Sequence, residues 1–144
     1  MIAADTNVLL RYLLYDDEAQ AARAGVVFDA GETVLITDVV LAETVWTLSG
    51  RRYRLGKGEL AAVLERLFSE PNIRFEDNQT VWRAVQAYKS TAPAGGAGPA
   101  KGAGFADALI AFKALHITSG AGEALTGVYT FDTAMQRIPH TVPA

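Results

Sequence analysis

The sequence predicts an α/β fold in which strands and helices alternate along one domain. Short apolar, β-branched segments recur along the chain, and each is followed by a longer segment with apolar residues at helical spacing. The 144 residues are 50% hydrophobic and 20% charged, which is typical of a single folded domain. Alternating strands and helices favour a mainly parallel sheet with helices on both faces.

Helix starts and stops divide the chain into elements. Asp16 and Asp17 place negative charge before an alanine-rich helix that reaches Gly31, and Pro71 closes a helix with inward Leu60 and Leu64. In chain order we predict a strand at 2–5, helices at 6–14 and 16–31, a strand at 34–37, helices at 39–47 and 59–68, a strand at 73–75, helices at 77–90 and 105–117, a strand at 128–130, a short helix and a final stub at 141–142.

The segment 93–104 interrupts this alternation. It contains five Gly, two Pro, four Ala and one Lys, which leaves almost no large side chain to pack. We predict a flexible loop there, within one domain spanning 1–144.

Composition excludes several function classes. There is no cysteine, so disulfides, thiol nucleophiles and iron–sulfur clusters are ruled out, and two histidines cannot build a three-histidine metal site. The net charge of −3 means that a nucleic acid must be bound by a local patch or through cations. No apolar stretch approaches a membrane span and no basic leader precedes the first strand, so we expect a cytoplasmic protein.

Three aspartates are predicted at one edge of the sheet. Ligands of parallel sheets bind beyond the carboxyl ends of the strands. Asp5 ends the first strand, Asp132 follows the strand at 128–130, and Asp107 lies in the first turn of the helix after the glycine-rich segment. Acids at such positions are also common helix caps, and spacing alone does not separate the two roles.

A fourth acid, Glu43, is harder to explain as a cap. It lies within the helix at 39–47, on the face shared with Val39, Trp46 and Thr47, where an unpaired carboxylate would be costly if buried. Two carboxylates about 4 Å apart repel by about 4 kcal/mol at an effective dielectric constant of about 20, so such a cluster is usually held by a hard cation. We therefore expect Mg²⁺ or Mn²⁺, which suits hydrolysis of a phosphodiester by activated water.

Other side chains flank these acids. Thr6, Asn7 and Thr130 are candidates for orienting the acids or a water, although turn and cap roles explain them equally well. Asn7 also argues against a phospho-aspartate phosphatase, which needs a second aspartate there. Lys101 does not complete a phosphate-binding loop motif.

A basic cluster offers contacts to RNA. Arg51, Arg52 and Arg54 follow the helix at 39–47, and Arg11 lies on the first helix near Asp5. These arginines can contact phosphates, or they can be an ordinary solvated surface.

Four ordered blocks resemble those of PIN-domain ribonucleases, and most of all the VapC-type toxins of bacterial toxin–antitoxin pairs. They are MIAADTNVLLR at 1–11, VLAE ending at Glu43, FADALI around Asp107 and TFD ending at Asp132. The resemblance implies a three-layer α/β/α sandwich and Mg²⁺-dependent endoribonuclease activity. It also implies that Asp5 and Asp107 are the principal metal ligands, with Glu43 and Asp132 as the third and fourth acids.

The resemblance further implies partners. A small antitoxin would inhibit the enzyme, and because a guanidinium can bridge two carboxylates, we expect it to insert an arginine among the acids. A two-fold homodimer is also expected of such a toxin. Two alternatives remain open: a housekeeping RNA-processing PIN nuclease, and a catalytically idle PIN-like module that binds RNA or protein.

Overall fold

The computed structural model describes residues 1–91 and 103–144. Most of the predicted loop 93–104 therefore lies outside the described residues. Of its last two residues, Ala103 is buried and Gly104 precedes a helix. The chain divides into two compact units, Met1–Asn78 and Gln79–Ala144. The expectation of one domain over 1–144 stays a prediction.

The first unit is built on a three-stranded parallel sheet. Its elements are β1 (Ile2–Ala3), α1 (Thr6–Leu14), α2 (Glu18–Asp29), β2 (Val34–Ile36), α3 (Asp38–Ser49), α4 (Lys57–Ser69) and β3 (Ile73–Phe75). Strand β2 is central, with Val34 beside Ile2 of β1 and beside Ile73 of β3. Parallel neighbours need long crossover connections, and here helices supply them.

The core of the first unit lies on this sheet and its helices. Val34 and Ile36 of the central strand are fully buried, as are Leu9 of α1 and Leu41 of α3. The inward stripe predicted for α4 is confirmed at its leucines, which are buried at Leu60, Leu64 and Leu67. Leu35, on the other face of this strand, is half-buried, and the continuous apolar sequence of residues 34–36 is typical of a central parallel strand.

The first two strands are shorter than predicted because a polar residue after each begins the next helix. Asp5 was expected to end the first strand and Thr37 the second, but both are N-caps. The Asp5 carboxylate accepts from the Val8 N–H at 2.8 Å, and the Thr37 hydroxyl accepts from the Val40 N–H at 3.4 Å. Such caps satisfy backbone donors that the first helical turn leaves unpaired.

The second unit contains two long helices and a pair of short parallel strands. Its elements are α5 (Asn78–Ser90), whose first residue closes the first unit, α6 (Phe105–Gly120), β4 (Val128–Thr130), a 3₁₀ helix (Met135–Arg137) and β5 (Thr141–Pro143). Val128 of β4 pairs with Thr141 of β5. The inward face of α5 carries Val81, Val85 and Tyr88, which are all buried.

Every strand pair among the described residues is parallel, and helices follow the strands along the chain. The predicted α/β class with parallel strands is therefore confirmed. Among residues 1–91 and 103–144, no helix combines the length and the apolar character needed to cross a bilayer.

Candidate active site

Asp5 lies where β1 gives way to α1, and its side chain is tied to the start of that helix. One carboxylate oxygen, Oδ1, accepts from the Val8 N–H at 2.8 Å, and the residue is exposed. Asp5 is therefore a helix cap, which is one of the two roles, cap or site residue, that the sequence left open. Because the cap occupies only Oδ1, the other oxygen is left to face solvent or a cation.

Glu43 is tied to α1 through Thr6. The hydroxyl of Thr6, which is only 8% exposed, donates to Oε2 of Glu43 at 2.6 Å, although the two residues are 37 positions apart. Thr6 follows Asp5 directly, so this bond links the third acid of the predicted set to the residue next to the first. A hydrogen bond of this kind fixes the orientation of a carboxylate that would otherwise rotate freely.

The reason given above for singling out Glu43 is wrong. Glu43 is exposed, and the face it shares is exposed too, with Val39 73% and Trp46 77% accessible to solvent. The buried residues of α3 lie on the opposite side and include Leu41 and Val45. The apolar residues around Glu43 therefore form a surface stripe, and its charge carries no desolvation cost.

Asp107 lies in the first turn of α6 and also serves the helix start. Its Oδ2 accepts from the Gly104 N–H at 2.7 Å, reaching back from the third helical position to the residue that begins the helix. A carboxylate is favoured here because the helix N-terminus carries partial positive charge. The contact occupies one oxygen of the carboxylate.

Asp132 follows β4 and organises the turn into the 3₁₀ helix. Its Oδ1 accepts from the Ala134 N–H at 2.8 Å and from the Met135 N–H at 3.4 Å. Its own backbone N–H donates to the hydroxyl of Thr130 at 3.0 Å. Thr130, one of the flanking residues considered in the sequence, thus lies in hydrogen-bond contact with the acid it was expected to orient.

The four acids share one pattern. In each acid one carboxylate oxygen accepts a hydrogen bond, from a nearby backbone N–H in the three aspartates and from the Thr6 hydroxyl in Glu43. The second oxygen accepts no hydrogen bond from the described residues. Exposed carboxylate oxygens fit Mg²⁺ or Mn²⁺. In the described parts of the chain, no three His, Cys, Asp or Glu side chains are grouped closely enough to hold a metal ion. The gathering of all four acids therefore stays a prediction.

Asn7 does not contact the acids in the described structure but lines an open cavity of about 280 Å³ between α1 and α2. Arg11 and Gln20 line the same cavity, together with Arg23. Asn7 and Arg11 are four positions apart on α1 and so share one face of that helix. One residue that lines the cavity, Asn7, is therefore only two positions after Asp5 in the sequence.

Asp16 connects the predicted basic residues. Its carboxylate accepts from Nη1 of Arg11 at 2.5 Å, from Nη2 of Arg52 at 3.3 Å and from the hydroxyl of Tyr53 at 2.9 Å. The guanidinium of Arg52 also lies 5.2 Å from the centre of the Tyr53 ring. Arg11 and Arg52, which are 41 positions apart, thus form one cluster around a single acid.

Asp17 caps α2, accepting from the Gln20 N–H at 2.9 Å, and Asp16 lies directly before that cap, where a helix N-terminal charge was predicted. Its contacts to Arg11, Arg52 and Tyr53 give Asp16 a second role that was not predicted. Tyr15, the residue before it, caps the end of α1 with a φ of 53°, which lies in the left-handed region. A tyrosine there carries strain that surrounding contacts must offset. Spacing gave no sign of this role, because Arg52 and Tyr53 come from a distant turn.

Asp16 should make stability sensitive to acid. The hydrogen bond from Arg11, and then that from Tyr53, hold the pKa of Asp16 below its ordinary value of 3.8. A carboxylate whose pKa falls on folding stabilises the protein above its unfolded-state pKa, and this contribution is lost as pH falls through the folded-state pKa. We expect the free energy of unfolding of Asp16→Asn, measured by denaturant titration, to fall less than that of wild type when the pH is lowered below about 4.

The matched control is Asp29→Asn, because Asp29 makes none of the described ion pairs. Equal acid sensitivity in wild type and Asp16→Asn would contradict this prediction.

The remaining two arginines of the predicted basic cluster lie in the same turn between α3 and α4. Arg51 is exposed, and its carbonyl accepts from Nε of Arg54 at 3.1 Å. Arg54 has a φ of 52°, a second left-handed residue beside the Asp16 cluster. The turn therefore presents its arginines through a strained backbone rather than along a helix.

Comparisons with known proteins identify the family of the chain. No match was found among curated proteins. The family model described as PIN domain matches residues 2–140, a range that begins at β1 and contains Asp5, Glu43, Asp107 and Asp132. The match confirms the predicted PIN-like α/β fold class. With acids at its strand ends and helix starts and a family match over nearly its whole length, the chain belongs to the PIN domain family, whose members are generally nucleases.

Proposed function

We propose that this protein is an endoribonuclease that depends on Mg²⁺ or Mn²⁺, and that it is the toxin of a toxin–antitoxin pair. The observation that carries the proposal is the set of four acids within the matched family range, each oriented by a hydrogen bond to one oxygen. Asp5, Glu43, Asp107 and Asp132 would hold the cation through the other oxygen. The bound cation would supply Lewis-acid stabilisation and activation of water for phosphodiester hydrolysis.

Two threonines support the acids in this proposal. The Thr6 hydroxyl holds Glu43, and the Thr130 hydroxyl holds the backbone of Asp132, so both acids keep one orientation before substrate arrives. Preorganised charges cost less to rearrange during the reaction. The chain has no cysteine to act as a thiol nucleophile, and the second oxygen of each acid is available to a cation, which favours hydrolysis by activated water.

A cleavage assay with the purified protein tests the proposal. We expect an RNA oligonucleotide to be cut with Mg²⁺ or Mn²⁺ and to remain intact with EDTA, while DNA of the same sequence is the control. Cleavage that persists with EDTA would overturn the metal dependence. RNA binding without cleavage under any divalent ion would instead favour the idle binding module.

The exposed arginines are proposed to contact RNA phosphates. Arg51, Arg52 and Arg54 lie in one turn, and Tyr53 beside them can stack on a base. Arg11 joins the same cluster through Asp16. We expect replacement of Arg51, Arg52 and Arg54 by Ala to flatten the plot of log binding constant for single-stranded RNA against log salt concentration. The slope should become less steep by about 0.7 for each phosphate contact that is lost. An unchanged salt slope would assign these arginines to the solvated surface.

The proposed antitoxin would insert an arginine beside Glu43. The surface stripe of α3 supports this, because Val39 and Trp46 expose apolar area on both sides of that carboxylate. Arginine and the divalent cation would compete for the same oxygens. Raising the Mg²⁺ concentration should therefore weaken the complex, and a complex whose affinity does not change with Mg²⁺ would place the inhibitor elsewhere.

A two-fold homodimer is proposed as the assembly, and a measurement of the molecular mass in solution would test it.

A further inference from the structure

An open cavity in the second unit has the chemistry of an anion site. It has a volume of about 410 Å³ and lies against α5, α6 and the 3₁₀ helix. The α5 wall consists of Arg83, Gln86, Ala87 and Ser90, which share one helical face. The opposite side is formed by Phe112, Arg137 and Pro139. A volume of this size is within the range of small-ligand pockets.

The two arginines of this cavity carry charge that no described residue neutralises. Neither the Arg83 nor the Arg137 side chain takes part in an ion pair or hydrogen bond with the described residues, and no acidic residue lines the cavity. The undescribed segment 92–102 contains no Asp or Glu either. In sequence, 79–144 carries five basic and three acidic residues, in contrast to the acidic first unit.

Gln86 adds a donor that is buried and unused. Its side-chain Nε2 is shielded from solvent and has no hydrogen-bond partner among the described residues. Leaving a buried donor unsatisfied costs about 1–3 kcal/mol, so natural proteins rarely tolerate one without a reason. Gln86 also lines the cavity, so a rotation of its side chain would present this donor to a ligand acceptor there.

We propose that this cavity binds a phosphate group. Arg83 and Gln86 supply a guanidinium and an amide from the α5 wall, and Arg137 supplies a guanidinium from the opposite wall. A phosphate presents several acceptor oxygens in different directions, whereas a carboxylate presents two in one plane. The phosphate comes either from the backbone of an RNA or from free phosphate in solution. The Asp132 carboxylate accepts from the backbone of Ala134 and Met135 at the start of the 3₁₀ helix that carries Arg137, so the site and a candidate catalytic acid share one supporting element.

Titration with inorganic phosphate tests the site on the full-length protein in EDTA. We expect saturable binding, detected by a shift of the Gln86 side-chain amide signal in NMR spectra and by a higher melting temperature. The double variant Arg83→Gln, Arg137→Gln should weaken phosphate binding by at least about tenfold, since it removes both charged donors.

The matched double variant Arg66→Gln, Arg74→Gln removes two exposed charges outside the cavity and should bind phosphate like wild type. Equal affinities for the two double variants, or no saturable binding to wild type, would overturn the proposal.

Gln86→Leu separates a ligand role from a structural one. Without phosphate, this variant should melt at the same temperature as wild type or higher, because it removes an unsatisfied buried donor. With phosphate, its melting temperature should rise less than that of wild type. A variant that is destabilised and still binds phosphate normally would show that Gln86 supports the fold and not the ligand.

Competition with RNA distinguishes the two sources of phosphate. In the Asp5→Asn protein, displacement of bound phosphate by an RNA oligonucleotide would identify the RNA backbone as the source. Phosphate that stays bound when RNA binds would identify free phosphate. These readouts do not use cleavage. The phosphate site can therefore be disproved while the proposed nuclease activity stands, and the nuclease activity can be disproved while the phosphate site stands.

Discussion

Replacing Asp5 by asparagine should reduce RNA cleavage by about a thousandfold or more while leaving the free energy of unfolding nearly unchanged. Asparagine keeps an oxygen that can accept from the Val8 N–H, and Asn and Asp are equally good N-caps. What the substitution removes is the negative charge that would hold the cation. The expected result is therefore a stable, inactive protein.

Asp5→Ala and Asp17→Ala complete this experiment. Asp5→Ala removes both the cap and the charge, so it should lose cleavage and about 1 kcal/mol of stability. Asp17 caps α2 with the same geometry, accepting from the Gln20 N–H at 2.9 Å, but lies outside the acidic set. Asp17→Ala should lose similar stability and keep full cleavage. If Asp5→Asn cleaves RNA like wild type, Asp5 is a cap and nothing more.

Asp107→Asn should abolish the stabilisation that Mn²⁺ gives to the wild-type protein, and cleavage with it. Divalent ions that bind only the folded state raise the free energy of unfolding, by about 2.7 kcal/mol at a hundred times the dissociation constant. Asparagine can still accept from the Gly104 N–H, so in EDTA we expect stability within about 1 kcal/mol of wild type, with relief of charge repulsion opposing loss of the favourable helix-end charge.

The matched control for Asp107 is Glu59. Glu59 occupies the same position in α4 and accepts from the Gly56 N–H at 2.8 Å, as Asp107 accepts from the Gly104 N–H at 2.7 Å. Glu59→Gln should keep both cleavage and the Mn²⁺ response. Melting curves with EDTA and with Mn²⁺ compare the two variants directly. If Asp107→Asn behaves like Glu59→Gln in both measurements, Asp107 is not a metal ligand.

Much of the secondary structure could be predicted because its signals are local. Helix α6 begins at Phe105 as expected, and Gly31, with a φ of 74°, lies just past the end of α2. Errors were confined to boundaries such as Asp5 and Thr37, where one polar side chain decides between the last residue of a strand and the cap of a helix. Hydrogen bonds over three residues decide that choice, and a pattern of apolar residues does not report them.

Exposure was predicted less well than helical spacing. Glu43 was correctly placed on the stripe of Val39 and Trp46, but that stripe faces solvent. An apolar face usually marks the core, and here the buried side of α3 carries Leu41 and Val45 instead. Periodicity identifies which residues share a face, whereas neighbouring elements determine which face is covered.

The fold class, the order of the elements and the four candidate acids could be predicted without coordinates, because strand propensity, helix caps and charge depend on neighbouring residues. The contacts between distant residues became known only from the three-dimensional structure. It joined Thr6 to Glu43 across 37 positions, gathered Arg52 and Tyr53 around Asp16, and placed Arg83 and Arg137 in one cavity. Such contacts depend on how helices pack on strands, and no short-range pattern encodes that packing.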